Sequence, residues 1–243
     1  MKIAIITGGS KGLGRALGEA FCEGGYKVIS ISRTNIDLIH KNFHSEYLID
    51  LTDLDKVEGV VIDIIKKLSN CSLNRVFLIN NAGELGEIKR LEDSSIQRLS
   101  NTIQLNLTVP IALSSLFLSR FKNIAKSLRI LNISSGAAVS AYSGWVSYCS
   151  SKAGMELMTK TIALEEVNNS AFKTVSLRPG VVDTNMQEEI RSSAKNDFEE
   201  IDKFVKLKRE NLLSTPEFAA RKIFQIAEND KYLSGDCIDI RNV

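Results

Sequence analysis

The stretch Thr7-Gly8-Gly9-Ser10-Lys11-Gly12-Leu13-Gly14 decides the fold that this sequence predicts. It follows a short apolar run at residues 2–6 and leads into a helical pattern at residues 13–22. Glycines allow a tight turn and a close approach of the backbone to a pyrophosphate, and the first turn of the following helix offers free N–H groups. The turn therefore predicts a nucleotide-phosphate site, with tight packing alone as the alternative.

The spacing of this turn differs from two other nucleotide-binding motifs. It reads T-G-x-x-x-G-x-G, whereas the G-x-G-x-x-G fingerprint needs a glycine where Leu17 stands. The G-K-[S/T] ending of a P-loop is also missing. The residues predicted to bind the nucleotide here are Gly8, Ser10, Lys11, Gly12, Leu13 and Gly14.

Short runs rich in β-branched residues alternate with longer segments of helical period. The runs are 2–6, 27–31, 46–49, 75–79, 129–133, 174–177 and 237–240, and the helical segments are 13–22, 53–68, 96–121, 146–167 and 216–227. Such alternation builds βαβ units and a parallel sheet. We predict one domain over residues 1–243, an α/β doubly wound fold with a seven-stranded parallel sheet flanked by helices. The ligand is expected at the carboxyl ends of the strands.

One segment, residues 184–214, interrupts this alternation. It is rich in charge and lacks a strand pattern, which predicts two short helices outside the sheet. Because it follows a strand end, a solvated surface excursion and a lid over the substrate are both open interpretations.

Composition and spacing exclude several classes of protein. The 243 residues include 31 lysines and arginines against 29 aspartates and glutamates, a balance that argues against a nucleic-acid partner. His40 and His44 are too few for a rich metal site, and the four cysteines lie far apart without zinc spacing, so we predict no metal. The longest apolar candidate, residues 109–118, is shorter than the ~18 residues of a membrane helix. With no signal-peptide pattern at the start, we predict a cytoplasmic protein with no membrane partner.

The end of the second strand predicts which nucleotide is bound. The run continues into Ser32-Arg33-Thr34 without a carboxylate, and Lys11 in the glycine turn can reach the same space. An acidic residue there would bind the ribose 2′-hydroxyl of NAD, whereas a guanidinium can bind the 2′-phosphate of NADP. We predict NADP(H), with a merely solvent-facing Arg33 as the alternative.

Tyr148 and Lys152 are four residues apart at the start of a helical segment, so they share one face. A nearby ammonium lowers the pKa of a phenol, which makes Tyr148 a candidate general acid or base. Ser135 follows a predicted strand, at an end where ligands bind, and could hold a carbonyl oxygen beside Tyr148. Ser134 is the competing candidate for that role.

Asn106 lies inside the long helical segment, four residues before Pro110. Proline cannot donate to the carbonyl four residues earlier, so a kink should free the main-chain oxygen of Asn106. A freed carbonyl could hold an ordered water and link Lys152 to solvent. A kink without chemical function is the alternative.

Together these motifs resemble the short-chain dehydrogenase/reductase family. They are the Thr7–Gly14 turn, Asn80-Asn81-Ala82-Gly83, Asn106, Ser135, Tyr148-Cys149-Ser150-Ser151-Lys152 and Arg178-Pro179-Gly180, and they span nearly the whole chain. The resemblance implies a Rossmann-type oxidoreductase, usually a homodimer or homotetramer. Tyr148 would be the proton donor, Lys152 would hold the nicotinamide ribose, Ser135 would position the carbonyl and Asn106 would complete a water relay. Further cofactor contacts are implied at Asp50, Leu51, Asn81, Ala82, Gly83, Pro179, Gly180, Val182 and Thr184.

A narrower set of residues resembles the sepiapterin reductase branch, and within it the bacterial benzil reductases of the (S)-benzoin-forming type. The segments are 133–138, 144–149 and 182–187. This resemblance implies NADPH-dependent reduction of one carbonyl of a vicinal diketone. The branch's usual Asp-Thr-Asp-Met-Gln reads Asp183-Thr184-Asn185-Met186-Gln187 here, a change expected to weaken contacts to a basic substrate group.

Three residues are candidates for substrate contact, namely Trp145, Met186 and Asp239. Asp239 stands where sepiapterin reductases anchor the pterin, so a pterin reductase is the alternative enzyme. Trp145 could line the binding site of an aromatic substrate, or it could simply pack in the core. The alternative from another class is a non-catalytic protein that senses NADP. A broken catalytic set would favour it, whereas the set is intact in this sequence.

Overall fold

A single parallel sheet runs through the computed structural model, which describes residues 1–36, 38 and 44–243. Its strands are β1 (Lys2–Thr7), β2 (Lys27–Ser32), β3 (His44–Leu48), β4 (Arg75–Asn80), β5 (Leu128–Ile133), β6 (Phe172–Arg178) and β7 (Cys237–Asp239). The spatial order is β3-β2-β1-β4-β5-β6-β7, and every pairing is parallel. The predicted seven-stranded doubly wound sheet is confirmed. The strand order reverses direction between β1 and β4, where such folds bind ligands.

Helices cover both faces of the sheet. They are α1 (Gly12–Glu23), α2 (Leu54–Leu68), α3 (Ile96–Ile103), α4 (Val109–Phe121), α5 (Val146–Glu165), α6 (Asn185–Arg191), α7 (Ile201–Arg209) and α8 (Pro216–Asn229). Successive strand residues point to opposite faces, so Ala4 and Ile6 pack with α1 and α8, whereas Ile3 and Ile5 pack with α2 and α4. This two-sided burial explains why the strands read as continuous apolar runs.

Helix ends follow local signals in the sequence. Asp53 caps α2 by accepting the N–H of Lys56 at 3.2 Å, and Thr215 caps α8 by accepting the N–H of Phe218 at 3.1 Å. Each such cap stabilises a helix by about 1 kcal/mol. By contrast, α1 has no side-chain cap and no acidic residue in its first turn. Its free N–H groups are therefore left to a ligand.

A π-helical turn joins α3 to α4, where the sequence predicted a kink. The turn spans Gln104–Thr108, and the N–H of Val109 bonds to the carbonyl of Gln104. Pro110 has no N–H to donate, so the backbone widens here instead of breaking. The freed carbonyl of Asn106 stays a prediction.

The continuous helical stretch Ile96–Phe121 is long and apolar enough to cross a membrane by length and composition alone, because its most apolar window has a mean hydropathy of 1.4. It exceeds the predicted span of 109–118 because the π-helical turn does not interrupt it. Buried residues make up 39% of its most apolar window, including side chains that pack on the sheet. The cytoplasmic location stays a prediction.

The segment after β6 forms α6 and α7 outside the sheet, which confirms the two predicted helices. Its ends are joined, because Ser214 bonds through its carbonyl to the N–H of Asp183 at 2.9 Å and through its N–H to the carbonyl of Val181 at 3.0 Å.

Among the described residues, no group of three or more histidine, cysteine, aspartate or glutamate side chains could hold a metal ion, and the absence of a metal stays a prediction. His44 begins β3 and lies 3.4 Å from the Glu46 carboxylate, while His40 lies outside the described residues.

Candidate active site

A cleft of about 1470 Å³ lies along the carboxyl ends of the strands. Each strand contributes a residue at or just after its end, namely Gly8, Ser32, Asp50, Asn81, Ser134, Arg178 and Asp239. One side of the cleft is the glycine turn and α1, and the other is the segment 184–214. The cleft occupies the position that the parallel sheet predicted for a ligand.

The glycines of this turn let a ligand approach its backbone closely. Gly8 and Gly12 have φ values of +67° and +53°, a region that favours glycine. A Cβ on Gly14 would lie 2.2 Å from the Gly8 carbonyl oxygen, and one on Gly12 would lie 3.2 Å from Thr184 Cγ2. Together with the uncapped start of α1, this turn fits the pyrophosphate of a dinucleotide.

Thr7 and Asn81 join the ends of β1 and β4. The Thr7 hydroxyl accepts the N–H groups of Asn81 and Ala82, both at 3.0 Å. In return, Asn81 Nδ2 donates to the carbonyls of Thr7 and Gly8 at 3.0 and 3.2 Å. These bonds hold the glycine turn against the loop after β4.

The far end of the cleft is lined by the residues predicted to bind the adenosine. Arg33 is exposed there, and its positive charge helps to lower the pKa of Asp50, although hydrogen bonds from the Thr52 N–H and hydroxyl contribute more. Leu51 is buried on the same loop. No hydrogen bond from the Arg33 side chain to another described residue ties it to the protein, which leaves its N–H groups available to a ligand.

Tyr148 and Lys152 lie on one face of α5, as predicted, and both are buried. Lys152 Nζ donates to the carbonyl of Ile133 at 2.8 Å and lies 5.8 Å from the centre of the Tyr148 ring. Burial lowers the pKa of Lys152 to about 8, because the charged form loses hydration.

The electrostatics of Tyr148 differ from the sequence prediction. Burial raises the pKa of its phenol, and the Ser135 hydroxyl opposes this effect without reversing it. The predicted lowering by Lys152 is not observed, because the ammonium is directed to the carbonyl of Ile133. A raised pKa keeps the phenol protonated near neutral pH, which is the state that a proton donor requires.

Ser134 and Ser135 have separate roles in the structure. Ser135 lines the cleft, and its hydroxyl accepts the N–H of Ala137 at 3.2 Å. Ser134 is buried and donates to Glu156 Oε1 at 2.9 Å. The Ser134 hydroxyl is thus engaged by Glu156, and the role of Ser135 in holding a carbonyl stays a prediction.

A buried ion pair lies behind this wall of the cleft. Glu156, one turn after Lys152 on α5, receives two bonds of 2.7 Å from the Arg178 guanidinium. Burial opposes ionisation of the carboxyl, but the bonds from Arg178 and Ser134 outweigh it and lower the pKa of Glu156. The Glu156 carboxylate thus links α5 to Ser134, just after β5, and to Arg178, the last residue of β6. Arg178 immediately precedes Pro179.

Asn106 lies behind the cleft wall and is fully buried. Its Oδ1 accepts the N–H of Glu84 at 2.9 Å, and its Nδ2 donates to the carbonyl of Glu84 at 2.8 Å and to Ser151 Oγ at 3.2 Å. The side chain therefore fixes the loop after β4, a role that the sequence analysis missed. A Cβ on Gly83 would lie 3.1 Å from Asn106 Oδ1, so the loop approaches closely.

An aromatic cluster beside the cleft joins the residues before α5 to the segment 184–214. Trp145 stacks on Phe198 with ring centres 4.8 Å apart and lies 4.8 Å from Tyr142. Trp145 is only 5% exposed and packs in this cluster, but it also lines the cleft, so the packing and the substrate-wall interpretations both stay predictions. Met186 is half-buried, and its sulfur lies 4.0 Å from the Tyr148 hydroxyl.

Asp239 lines the cleft but is already paired. Its carboxylate accepts from Arg241 Nε at 2.8 Å and from Arg241 Nη2 at 2.5 Å. This ion pair, together with the N–H of Arg241, lowers the pKa of the carboxyl. The pterin-anchoring interpretation would need this pair to open.

The cleft thus brings together all the residues predicted for cofactor and substrate, while Asn106 alone of the predicted set lies behind it. Residues that the sequence analysis missed also line it, namely Thr52, Leu85, Gln104, Tyr142, Phe204, Leu207 and Arg241. The sequence carried no clear signal for these residues, since polar side chains such as Gln104 are frequent along residues 96–108.

Comparison with known proteins agrees with this geometry. Residues 2–195 match the family model described as short chain dehydrogenase. The chain belongs to the short-chain dehydrogenase/reductase family. It is therefore an oxidoreductase, and the family uses NAD(P)(H).

Two curated members of the family are similar over nearly the whole chain. The benzil reductase ((S)-benzoin forming) of Bacillus subtilis (strain 168) is 40% identical over 94% of both chains, and that of Bacillus cereus is 36% identical over 99% of both. The sepiapterin reductase of Xenopus laevis is 28% identical over 98% of this chain and 94% of its own. This short-chain dehydrogenase/reductase is therefore similar to carbonyl reductases.

Solved structures of the family share the fold. The KRED1-Pglu enzyme superposes with a TM-score of 0.86 at 23% identity over 98% of this chain and 100% of its own. ElxO, solved with NADP bound, gives a TM-score of 0.81 at 26% identity over 98% of this chain and 96% of its own.

Proposed function

We propose that the protein is an NADPH-dependent reductase that converts one carbonyl of a vicinal diketone such as benzil to an α-hydroxyketone. The observation that carries the proposal is the position of the Tyr148 hydroxyl, between Ser135 and the apolar side chain of Met186. Beyond it, the cleft is lined by Leu85, Ile88, Tyr142, Ile190, Phe204, Leu207 and Leu212. A wall of this kind favours a neutral aromatic substrate over a charged one.

The chain's own residues fit NADP(H) along the rest of the cleft. The glycine turn and the uncapped α1 would hold the pyrophosphate, and Arg33 with Lys11 would hold the 2′-phosphate. Asp50 and Leu51 would meet the adenosine, while Asn81, Ala82, Gly83, Pro179, Gly180, Val182 and Thr184 would line the nicotinamide half. NADPH, when bound, supplies the hydride for the carbonyl carbon.

The side chains of α5 and β5 then handle the oxygen of the carbonyl. Tyr148 donates its phenolic proton to that oxygen, and the Ser135 hydroxyl orients it by a hydrogen bond. Lys152, with its pKa lowered to about 8, sits where it can hold the nicotinamide ribose and return a proton to Tyr148. Asn106 keeps the loop at Gly83 and Glu84 beside Lys152.

Segment 184–214 is proposed as the substrate lid, because α6 and α7 supply much of the apolar wall. The oligomeric state stays a prediction: the exposed side chains of Ile111 on α4, and of Leu157 and Leu164 on α5, lie on helices through which the family's subunits usually join.

A pterin reductase is the second candidate, because sepiapterin reductases are similar to the chain and Asp239 lines the cleft. The Asp239–Arg241 pair argues against it, since the carboxylate is occupied. With purified protein and NADPH, we expect kcat/KM for benzil to exceed that for sepiapterin by at least about tenfold. The reverse order would replace this proposal by the pterin reductase.

Arg33→Ala is expected to raise KM for NADPH about 10- to 100-fold and to leave KM for NADH unchanged. Hydrogen bonds to a charged group contribute about 1.5–3 kcal/mol, and only NADPH has the 2′-phosphate. Initial rates at fixed benzil with each cofactor measure the effect, and Arg33→Lys serves as the charge-conserving control. Equal effects on the two cofactors would show that Arg33 does not bind the phosphate.

A further inference from the structure

The π-helical turn Gln104–Thr108 contacts two loops of the cleft through two side-chain amides. Asn106 binds both backbone groups of Glu84 on the loop after β4. Two residues earlier, Gln104 Nε2 donates to the carbonyl of Thr52 at 2.8 Å, on the loop after β3. One turn of helix therefore bridges the two loops.

The loop that Gln104 contacts has few other ties. Thr52 donates twice to Asp50 Oδ1, at 2.9 and 2.8 Å, and the N–H of Asp53 bonds to the carbonyl of Asp50 at 3.2 Å. Among the described residues, the other hydrogen bonds of residues 50–53 stay within residues 50–57. Leu51 anchors the loop in the core, and among the described residues Gln104 supplies the hydrogen bond that ties it to the helix across the cleft.

We propose that Gln104 is a positioning residue for the adenine half of the cofactor. Its carboxamide holds loop 50–52 at a fixed separation from loop 83–84, which lies beside Lys152. A dinucleotide that spans both loops would need that separation to match its own length. This inference rests on the proposed function, because it requires NADP(H) to lie along the cleft.

Two substitutions test the role of Gln104. Gln104→Ala removes the donor, and Gln104→Glu keeps the shape but sets a carboxylate against the Thr52 carbonyl. Loss of one hydrogen bond corresponds to a change of about 3- to 10-fold. We expect the dissociation constant of 2′,5′-ADP and KM for NADPH to rise by that factor, with kcat at saturating NADPH and the inhibition constant of nicotinamide mononucleotide unchanged.

Gln97→Ala is the matched control. It is a glutamine on the same helical stretch, but it is exposed, and its side chain bonds to Asn101, at 2.8 Å, and to no other residue that the structure describes. This variant should bind 2′,5′-ADP as the wild type does. The inference is overturned if both Gln104 variants bind 2′,5′-ADP as the wild type does. It is also overturned if the dissociation constant of 2′,5′-ADP and the inhibition constant of nicotinamide mononucleotide rise by the same factor. If the wild type itself does not bind 2′,5′-ADP, the proposed cofactor fails, and this inference fails with it.

Discussion

Tyr148→Phe is expected to lower kcat for benzil by about 100- to 10,000-fold, because the variant has no phenolic proton to donate to the carbonyl oxygen. The hydroxyl makes only weak polar contacts, including one of 4.0 Å to the Met186 sulfur, so its removal should leave the fold and cofactor binding intact. Steady-state rates with NADPH and benzil measure the change. Titration of 2′,5′-ADP or NADPH fluorescence shows whether the cofactor still binds.

Tyr142→Phe provides the control for this prediction. Tyr142 lies on the same cleft, and its ring packs 4.8 Å from that of Trp145, but it is not placed beside Ser135 and Lys152. The same loss of a hydroxyl should change kcat by less than about threefold. The assignment of Tyr148 as proton donor fails if the two variants lose activity to the same extent, or if Tyr148→Phe keeps wild-type turnover.

Glu156→Gln is expected to lower the free energy of unfolding by about 3 kcal/mol or more, because it leaves the Arg178 guanidinium partly buried without its counter-charge. The side chains of Glu156 and Arg178 are only 8% and 18% exposed, so water cannot replace the lost interaction fully. Urea unfolding at neutral pH measures the difference. Glu92→Gln is the control, since Glu92 and its partner Arg90 are 65% and 53% exposed and such pairs contribute at most about 1 kcal/mol.

The same ion pair predicts a pH dependence. The folded protein holds the pKa of Glu156 below its ordinary value of 4.5, so the stabilisation is fully present above that value. It is lost as the pH falls through the lower, folded pKa, because the unfolded chain binds the proton more readily. Glu156→Gln should therefore lose less stability than the wild type on acidification in this range. Equal losses would show that the carboxylate does not carry the effect.

Most of the fold could be predicted because its signals are local. Every strand except β3 contains β-branched residues, and the boundaries differ by a few residues at most: β3 was expected at 46–49 and begins at His44. The glycine turn, Tyr148 and Lys152 were also accessible, because their chemistry depends on spacing along a single turn or helix face.

The rest of the site depends on contacts between distant residues. The hydrogen bond between Gln104 and Thr52 joins positions 52 residues apart. The ion pair between Arg241 and Asp239 is local, but it belongs to the site only because β7 ends at the cleft. The raised pKa of Tyr148 follows from burial, which no motif encodes. The aromatic cluster around Trp145 required the fold of the segment 184–214, whose pattern showed helices but not what they cover.

The most direct test of the proposed reduction is its stoichiometry with benzil. Purified protein is incubated with NADPH and benzil, the loss of NADPH absorbance is followed, and benzoin is quantified by chromatography. The proposed mechanism predicts one benzoin formed for each NADPH consumed, with almost none formed by Tyr148→Phe. A wild-type protein that binds NADPH but forms no benzoin while NADPH stays unconsumed would contradict it.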